Sequence, residues 1–508
     1  MALRVRHLAR NAIFNGMGSV MGMAVGFFLS PFILHRLGNL EYGVWVLAVS
    51  VVGYLNMLDF GMQSSVIRFV SQGHAKGEHE SASEAASAAL WVRLQISVLA
   101  MVLSGIIAAV FPHVFSVPPQ LARSAQEAVM LIGCTTAVTM SLGVAGGVVT
   151  ALSRFDIVNY LAVVQTVIRV GGIVWALRTG HGIVAIAFCE LVAAFVTRTI
   201  QVVIAHRLYP ELQYRLRKPQ SATLKKIWSY SSYTFLITIA VQLVYQSDNV
   251  VVGAFVSTAA VTFYAIANSL CRYTWQAISA MSGTFMPAAS TYEASGDTRS
   301  LVMLYKNGTR AMLLLSLPIL ITLMVRGSSF IGLWMGPQYE HRSGIVLDIL
   351  AFPLIFFFAN QTAGAIAFGT EKHKTVALWA LGEGIANLVL SITLVHFYGI
   401  YGVAIGTLIP SLVAQLGFWP RYISKLVGLT AREVVWNVWQ PVIWASIPFA
   451  VASWAVDVHF PAHSLVMFVL QVIATLPIYL LVTALVFRRF LRDRVLPMLR
   501  ARFLVEAK

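Results

Sequence analysis

Residues 43–69, GVWVLAVSVVGYLNMLDFGMQSSVIRF, form an apolar run that carries both Asp59 and Arg68. About 20 apolar residues suffice to cross roughly 30 Å of hydrocarbon, so the run reads as one transmembrane helix. Similar runs recur along the whole chain. Of its 508 residues, 58% are apolar and 11% charged, whereas soluble domains carry about 25% charged residues. A surface so poor in charge has lipid as its solvent. The ten-residue alternation of a transmembrane β-barrel never occurs. The expected fold is therefore all-α: a polytopic inner-membrane protein of about fourteen transmembrane helices.

The basic residues orient these helices. The net charge is +16, but Lys and Arg sit in short clusters between spans, too scattered to build a nucleic-acid face. Arg4, Arg6, Arg10, Arg68, Lys76, Arg154, Arg207, Lys225, Lys372, Arg421 and the basic tail from Arg488 all fall on one side, against Arg36, Arg123, Arg178 and Arg342 on the other. The positive-inside rule places both termini in the cytoplasm. The first apolar run lacks a small-residue cleavage site and reads as a retained helix. Cys134, Cys189 and Cys271 lie in apolar runs without metal or disulfide spacing. The outward loops are short, so none can fold as a catalytic domain.

The chain repeats itself at an offset of about 217 residues, with GIVAIA at 182–187 answered by GIYGVA at 399–404. Each motif opens the sixth helix of its half, after a basic turn and a long apolar helix. The expected organisation is an N-lobe at 1–215 (six helices), a C-lobe at 216–430 (six helices), and 431–508 with two further helices and the basic tail. An even number of helices per lobe makes the repeat parallel, around an axis along the membrane normal.

Three stretches, LGNLEYGVWVLAVSVVGYLNMLDFGMQSSVIRFVS (37–71), SDNVVVGAFVSTAAVTFYAIANSL (247–270) and NLVLSITLVHFYGIYGVAIGTLIPSL (387–412), resemble the Wzx-type polysaccharide and lipid-linked oligosaccharide flippases. These belong to the multidrug/oligosaccharidyl-lipid/polysaccharide exporter superfamily. The resemblance implies a MATE-like fold, with two six-helix lobes around a V-shaped cavity lined largely by helices 1, 2, 7 and 8.

Ionisable residues at membrane depth are costly and usually face protein or water. In the eighth span Asn268, Arg272, Gln276 and Ser279 recur at helical spacing on one face. A polar stripe centred on an Arg suits phosphate oxygens; the alternative is an Arg paired to a neighbouring acid. In the seventh span Gln242, Tyr245, Gln246 and Asn249 cluster beside Asp248, which either couples to a cation gradient or neutralises Arg272. Asp59 shares helical spacing with Asn56 and Gln63, and the repeat sets it opposite Gln276. It either faces the cavity or ends the helix before Gly61. Arg68 belongs to the basic rim.

Arg169 and Glu190 lie equally far from their shared turn near Gly180 and are expected to pair, fixing geometry more than adding stability. Arg93, Arg198 and Arg326 fall nearer span ends, where snorkelling accounts for them. Glu383 and Asn387 share a face of the eleventh span, as cavity lining or packing. Gly18, Gly22 and Gly26 form a small-residue face, read first as close packing and second as a hinge, and Pro31 should bend the first helix.

The expected function is a flippase that carries an undecaprenyl-pyrophosphate-linked oligosaccharide to the periplasmic leaflet for O-antigen, exopolysaccharide or capsule synthesis. A polysaccharide polymerase and glycosyltransferases are the expected partners of this monomer. No organic cofactor and no catalytic residue is expected; without a Walker-type loop, an H+ or Na+ gradient is the candidate energy source. The alternatives are a multidrug exporter of the same superfamily and, in another class, a membrane glycosyltransferase or polymerase. The exporter should carry an acid in its first span, which is absent here, and the enzyme a sizeable outer loop.

Overall fold

A computed structural model describes residues 2–216, 238–239, 242–243, 246–372 and 374–488, with side chains from Met21 onward within these ranges except at Ala280. Among the described residues every regular element is helical. The helices are α1 (Ala2–Gly53), α2 (Met62–Lys76), α3 (His79–Val114), α4 (Pro119–Ala151), α5 (Phe155–Arg178), α6 (Ile183–Leu208), α7 (246–255) and α8 (Thr258–Ser282). They continue with α9 (Phe285–Ala294), α10 (Thr298–Met335), α11 (Pro337–Gly369), α12 (Lys374–Leu412), α13 (Trp419–Val427), α14 (Ala431–Glu433), α15 (Gln440–His459) and α16 (Leu465–Val486).

Ten described helical segments are long and apolar enough to cross a membrane. Two of them, Met21–Lys76 at 56 residues and Lys374–Val427 at 54, are about twice the length a crossing requires. Each is broken by a glycine at positive φ, a backbone region that L side chains rarely adopt: Gly38 (φ 78°) in α1 and Gly399 (φ 56°) in α12. Gly399 is the first residue of the second repeat motif, and α6 begins just after Gly182, the first residue of the first motif. α1 runs through Pro31, and Gly38 is the residue that leaves helical geometry. Among the described residues a Cβ at Gly22 would meet nothing within 4 Å.

The chain forms two compact units, one of residues 1–265 with 377–407 and one of 266–376 with 408–508. In the first unit α3, α4 and α6 pack side by side, with small residues at the contacts. The α6 N-terminus is capped from a distance: Ile183 N donates to Glu41 Oε1 at 2.9 Å, setting a carboxylate against the positive end of the helix. In the second unit α10, α11 and α15 enclose a core that includes Tyr305, Leu317, Ile366, Trp439 and Phe449.

α16 is held to α10 by Tyr479 Oη, which donates to the Leu314 carbonyl at 2.9 Å. Arg326 adds a second tie. Its Nε lies 3.1 Å from Asp457 Oδ1, it donates to Gln471, and its guanidinium covers the Phe468 ring at 4.6 Å. Arg326 is 1% exposed; it does not snorkel but joins α10, α15 and α16 through a buried ion pair.

Candidate functional site

The second span departs from the continuous helix its hydropathy predicts. After α1 the chain tightens into a 3-10 turn at Tyr54–Asp59, and Phe60 and Gly61 then adopt left-handed backbone angles before α2 starts. Helical spacing therefore does not extend from Asn56 and Asp59 to Gln63, and the three do not form one α-helical face. Asn56 is exposed and bonds back to the Gly53 carbonyl at 3.1 Å. Gln63 is half-buried on α2, and Arg68 is exposed further along it.

The break presents Asp59 to α3, where Arg93 Nη2 donates to its Oδ1. Arg93 is 4% exposed, so snorkelling does not describe it. α3 begins at His79, which sets Arg93 well inside the helix. On α6, Arg198 Nη1 donates to Gln201 Oε1 at 2.7 Å and lies within electrostatic reach of Arg93. The predicted hairpin pair forms the nearby contact Arg169 Nη1–Glu190 Oε1 at 3.6 Å.

A second acid is handled differently. Asp248 on α7 is 4% exposed, and among the described residues it has no cationic hydrogen-bond partner. Its Oδ2 accepts from Tyr264 Oη at 2.6 Å and Thr407 Oγ1 at 2.9 Å. Asn387 Nδ2 donates to Thr407 at 2.9 Å, and Ser247 Oγ donates to Asn387 Oδ1 at 3.3 Å. One turn beyond Asn387, Ser391 Oγ donates to the Val403 carbonyl at 3.2 Å. Asp248 Oδ1 is buried without a hydrogen bond among the described residues. Two hydroxyls thus meet one buried carboxylate, with an amide one bond further on; oxygen groups of this kind suit a hard cation or a proton. Among the described residues no three His, Cys, Asp or Glu cluster in the manner of a transition-metal site.

The same unit contains a close seam between residues 39–53 and the α7–α8 turn. Thr262 Oγ1 donates to the Asn39 carbonyl at 2.7 Å, Asn249 Nδ2 to Ser50 Oγ at 3.1 Å, and Gln242 Nε2 to the Gly53 carbonyl at 2.7 Å. A Cβ at Gly43 would stand 2.0 Å from the Thr258 carbonyl oxygen, and one at Gly253 would stand 2.4 Å from Leu47. At Gly43, whose neighbour is backbone, only glycine permits this approach. Gln246 lies against Gly53. Tyr245 lies outside the described residues, as do most of the seventh span, the connection from 217 and the tail from 489; so do the surroundings of Gly18. Gly26 accepts from Ser30 Oγ at 2.7 Å.

α8 is long enough to span, but it is not among the ten apolar segments. Its polar stripe lowers its hydropathy. Leu270, Cys271, Thr274 and Ile278 are buried on one face, while Arg272 and Gln276 are exposed on another, flanked by half-buried Asn268 and Ser279. Ser279 Oγ accepts from Gln361 Nε2 at 3.1 Å. An open guanidinium above an amide can offer several N–H donors to an anion. Glu383 is half-buried, one turn from Asn387.

Sequence reasoning missed Tyr264, Ser391 and Thr407, uncharged residues that give no signal in an apolar run. It also missed the Asp59–Arg93 pair, for which a signal exists: both lie about equally far from the turn at Gly77.

The family described as "Polysaccharide biosynthesis protein" matches residues 33–344. "Uncharacterized membrane protein EpsK" of Bacillus subtilis is 23% identical over 457 residues, 86% of each chain. "Probable low-salt glycan biosynthesis flippase Agl15" of Haloferax volcanii is 21% identical over 445 residues, 87% of this chain and 89% of that one. Among solved structures, "Lipid II flippase MurJ, inward closed conformation" aligns with TM-score 0.72 and 14% identity, over 94% of this chain and 99% of its own. An inward-facing multidrug resistance MATE family transporter of the MOP superfamily aligns with TM-score 0.70 and 14% identity, over 81% and 94%. At these identities the structures speak for the fold alone.

Proposed function

Because the chain belongs to the polysaccharide biosynthesis protein family, we propose that it is a flippase, not an enzyme, and carries a lipid-linked glycan between leaflets. The substrate is an undecaprenyl-pyrophosphate-linked oligosaccharide, taken from the cytoplasmic to the periplasmic leaflet of a bacterial inner membrane for O-antigen, exopolysaccharide or capsule synthesis. It is a monomer with cytoplasmic termini and fourteen spans, working beside a polymerase and glycosyltransferases. The relative described as a glycan biosynthesis flippase supports this reading.

The observation that carries it is the exposed Arg272 on the open polar face of α8. A sugar-pyrophosphate must cross roughly 30 Å of hydrocarbon while its polyprenyl tail stays in lipid. A guanidinium at membrane depth replaces part of the water the pyrophosphate gives up, through charge-assisted hydrogen bonds. Asn268, Gln276 and Ser279 extend that face.

Alternating access uses the seam between residues 39–53 and 242–262 as its outer closure. H+ or Na+ binds at Asp248, whose bare oxygen and neutral donors suit either ion. A multidrug exporter of organic cations is the weaker reading, since the first span holds no carboxylate and the open charge on α8 is positive.

In a strain lacking the native copy, Arg272→Ala should abolish polysaccharide export at unchanged protein level, and Arg272→Lys should restore part of it. Normal export by a well-expressed Arg272→Ala protein overturns the reading.

A further inference from the structure

The polar stripe of α8 changes its chemistry along its length. Arg272 offers N–H donors only, which suits phosphate oxygens, acceptors with no proton to give. Ser279 stands about 10 Å further along the helix axis and carries a hydroxyl, which both donates and accepts. Gln276, exposed, lies between them.

Ser279 is met from a second helix of the same compact unit. Ile278 of α8 and Phe358 of α11 share a core with Met312 and Leu320 of α10. Gln361 follows Phe358 by just under one helical turn. Its neighbours Thr362 and Ala363 are fully buried, and a Cβ at Gly308 of α10 would stand 2.8 Å from Thr362. That part of α11 is committed to α10. Gln361 is left at the α8 edge, half-buried, and its Nε2 donates to Ser279 Oγ at 3.1 Å.

Both residues keep unspent groups. On the buried face of α8, Thr274 turns its hydroxyl back onto the Leu270 carbonyl at 3.0 Å, a common outlet for a helical hydroxyl. Ser279 makes no such bond among the described residues: its carbonyl accepts from Ser282 Oγ at 2.8 Å, while its hydroxyl hydrogen has no acceptor. The Gln361 amide retains an oxygen and a second N–H, and its oxygen is not buried. Whichever way the amide is turned, the pair presents at least one donor and one acceptor. A sugar hydroxyl uses both. A phosphate oxygen uses only the donor and is repelled by the amide oxygen.

We propose, resting on the flippase reading with Arg272 at the pyrophosphate, that Gln361 and Ser279 are the sugar-contacting end of the α8 face. They hydrogen-bond hydroxyls of the sugar residues next to the pyrophosphate, and Gln361 holds Ser279 in place for that contact. The pair then favours the glycosylated lipid over bare polyprenyl pyrophosphate, whose tail and phosphates are the same. A site that hydrogen-bonds a substrate hydroxyl discriminates against an analogue lacking it, because its own polar groups are then left unpaired.

The test is equilibrium binding of two lipids to the purified full-length protein by microscale thermophoresis. One is the polyprenyl-linked glycan extracted from a strain lacking the protein; the other is undecaprenyl pyrophosphate without sugar. The unaltered protein should bind the glycolipid more tightly. Gln361→Met keeps the length of the side chain and loses its hydrogen bonds. It should weaken glycolipid binding by about tenfold, the scale of one or two neutral hydrogen bonds, and leave undecaprenyl pyrophosphate unchanged. Ser279→Ala should reproduce that split with a smaller loss, and Arg272→Ala should weaken both lipids together. Equal loss of both lipids in Gln361→Met and Ser279→Ala, or loss of neither, overturns the sugar contact while Arg272→Ala still reports the phosphate contact. Unaltered protein that binds neither lipid, or Arg272→Ala that binds both normally, is a failure of the flippase reading itself and takes the sugar contact with it.

Discussion

Asp59 and Asp248 are both carboxylates at membrane depth, and the protein treats them in opposite ways. Asp59 meets a buried guanidinium, Arg93, where the second span unwinds. Among the described residues Asp248 meets uncharged groups, the hydroxyls of Tyr264 and Thr407, and its Oδ1 has no hydrogen bond. Burying a charge without a counter-charge is costly, so an acid in the second setting gains from binding a proton or a cation. An acid in the first setting is already neutralised. On the proposed reading, the difference separates a structural charge from one that exchanges a proton or a cation.

The largest expected effect falls on the paired acid. Arg93→Met strands Asp59, and breaking a buried ion pair from one side costs about 3–5 kcal/mol. Folded protein measured by fluorescence-detected size exclusion should drop sharply, and adding Asp59→Leu should recover much of it. A double variant no better than the single would break the contrast.

Asp248→Asn should act in the other direction, leaving the folded yield near normal while removing the dependence of export on an H+ or Na+ gradient. The side chain keeps its shape and loses only its charge. Gradient dependence unchanged in Asp248→Asn would place the coupling elsewhere.

The seam offers a third, more local test. Cysteines at positions 50 and 249, whose native side chains meet at 3.1 Å, should cross-link readily. Adding Gly43→Val, whose extra atoms collide with the Thr258 carbonyl, should suppress the cross-link and slow export. Undiminished cross-linking would show that the glycine contact is not needed for closure.

The smallest effect lies outside the membrane, at the N-cap of α10. Ser300 N donates to Asp297 Oδ1 at 2.9 Å. This bonding to Ser300 holds the exposed carboxyl below its ordinary range. A depressed folded-state pKa means the contribution is present above the unfolded value and fades as pH falls through the folded one. Asp297→Ala should lower the melting temperature slightly at neutral pH and converge with the unaltered protein in acid. A gap that persists in acid would assign the effect to something other than the cap.

Much of the fold was legible because lipid imposes a coarse requirement: long apolar helices, punctuated by basic turns. The Arg169–Glu190 contact was legible for a similar reason, since equal distance from a hairpin turn means equal depth. The same rule reaches Asp59 and Arg93 across Gly77. Hydropathy alone sets Arg93 near the end of its span, whereas α3 begins at His79, fourteen residues before it. The unwound stretch at 54–61 was hidden by hydropathy, which does not register backbone angles; a left-handed Phe60 is a tertiary outcome. Around Asp248, Asn387 was singled out for its neighbour Glu383, while Tyr264 and Thr407 reach the carboxylate only through folding.

The most direct test is a flipping assay with purified protein in liposomes that carry a polyprenyl-pyrophosphate-linked oligosaccharide with a fluorescent sugar. Exposure to a membrane-impermeant quencher reports the leaflet. The unaltered protein should move the label between leaflets within the assay, and equal amounts of reconstituted Arg272→Ala should leave it where it began, as in protein-free liposomes. Movement at the same rate with and without the protein, or an undiminished rate with Arg272→Ala, would contradict the account.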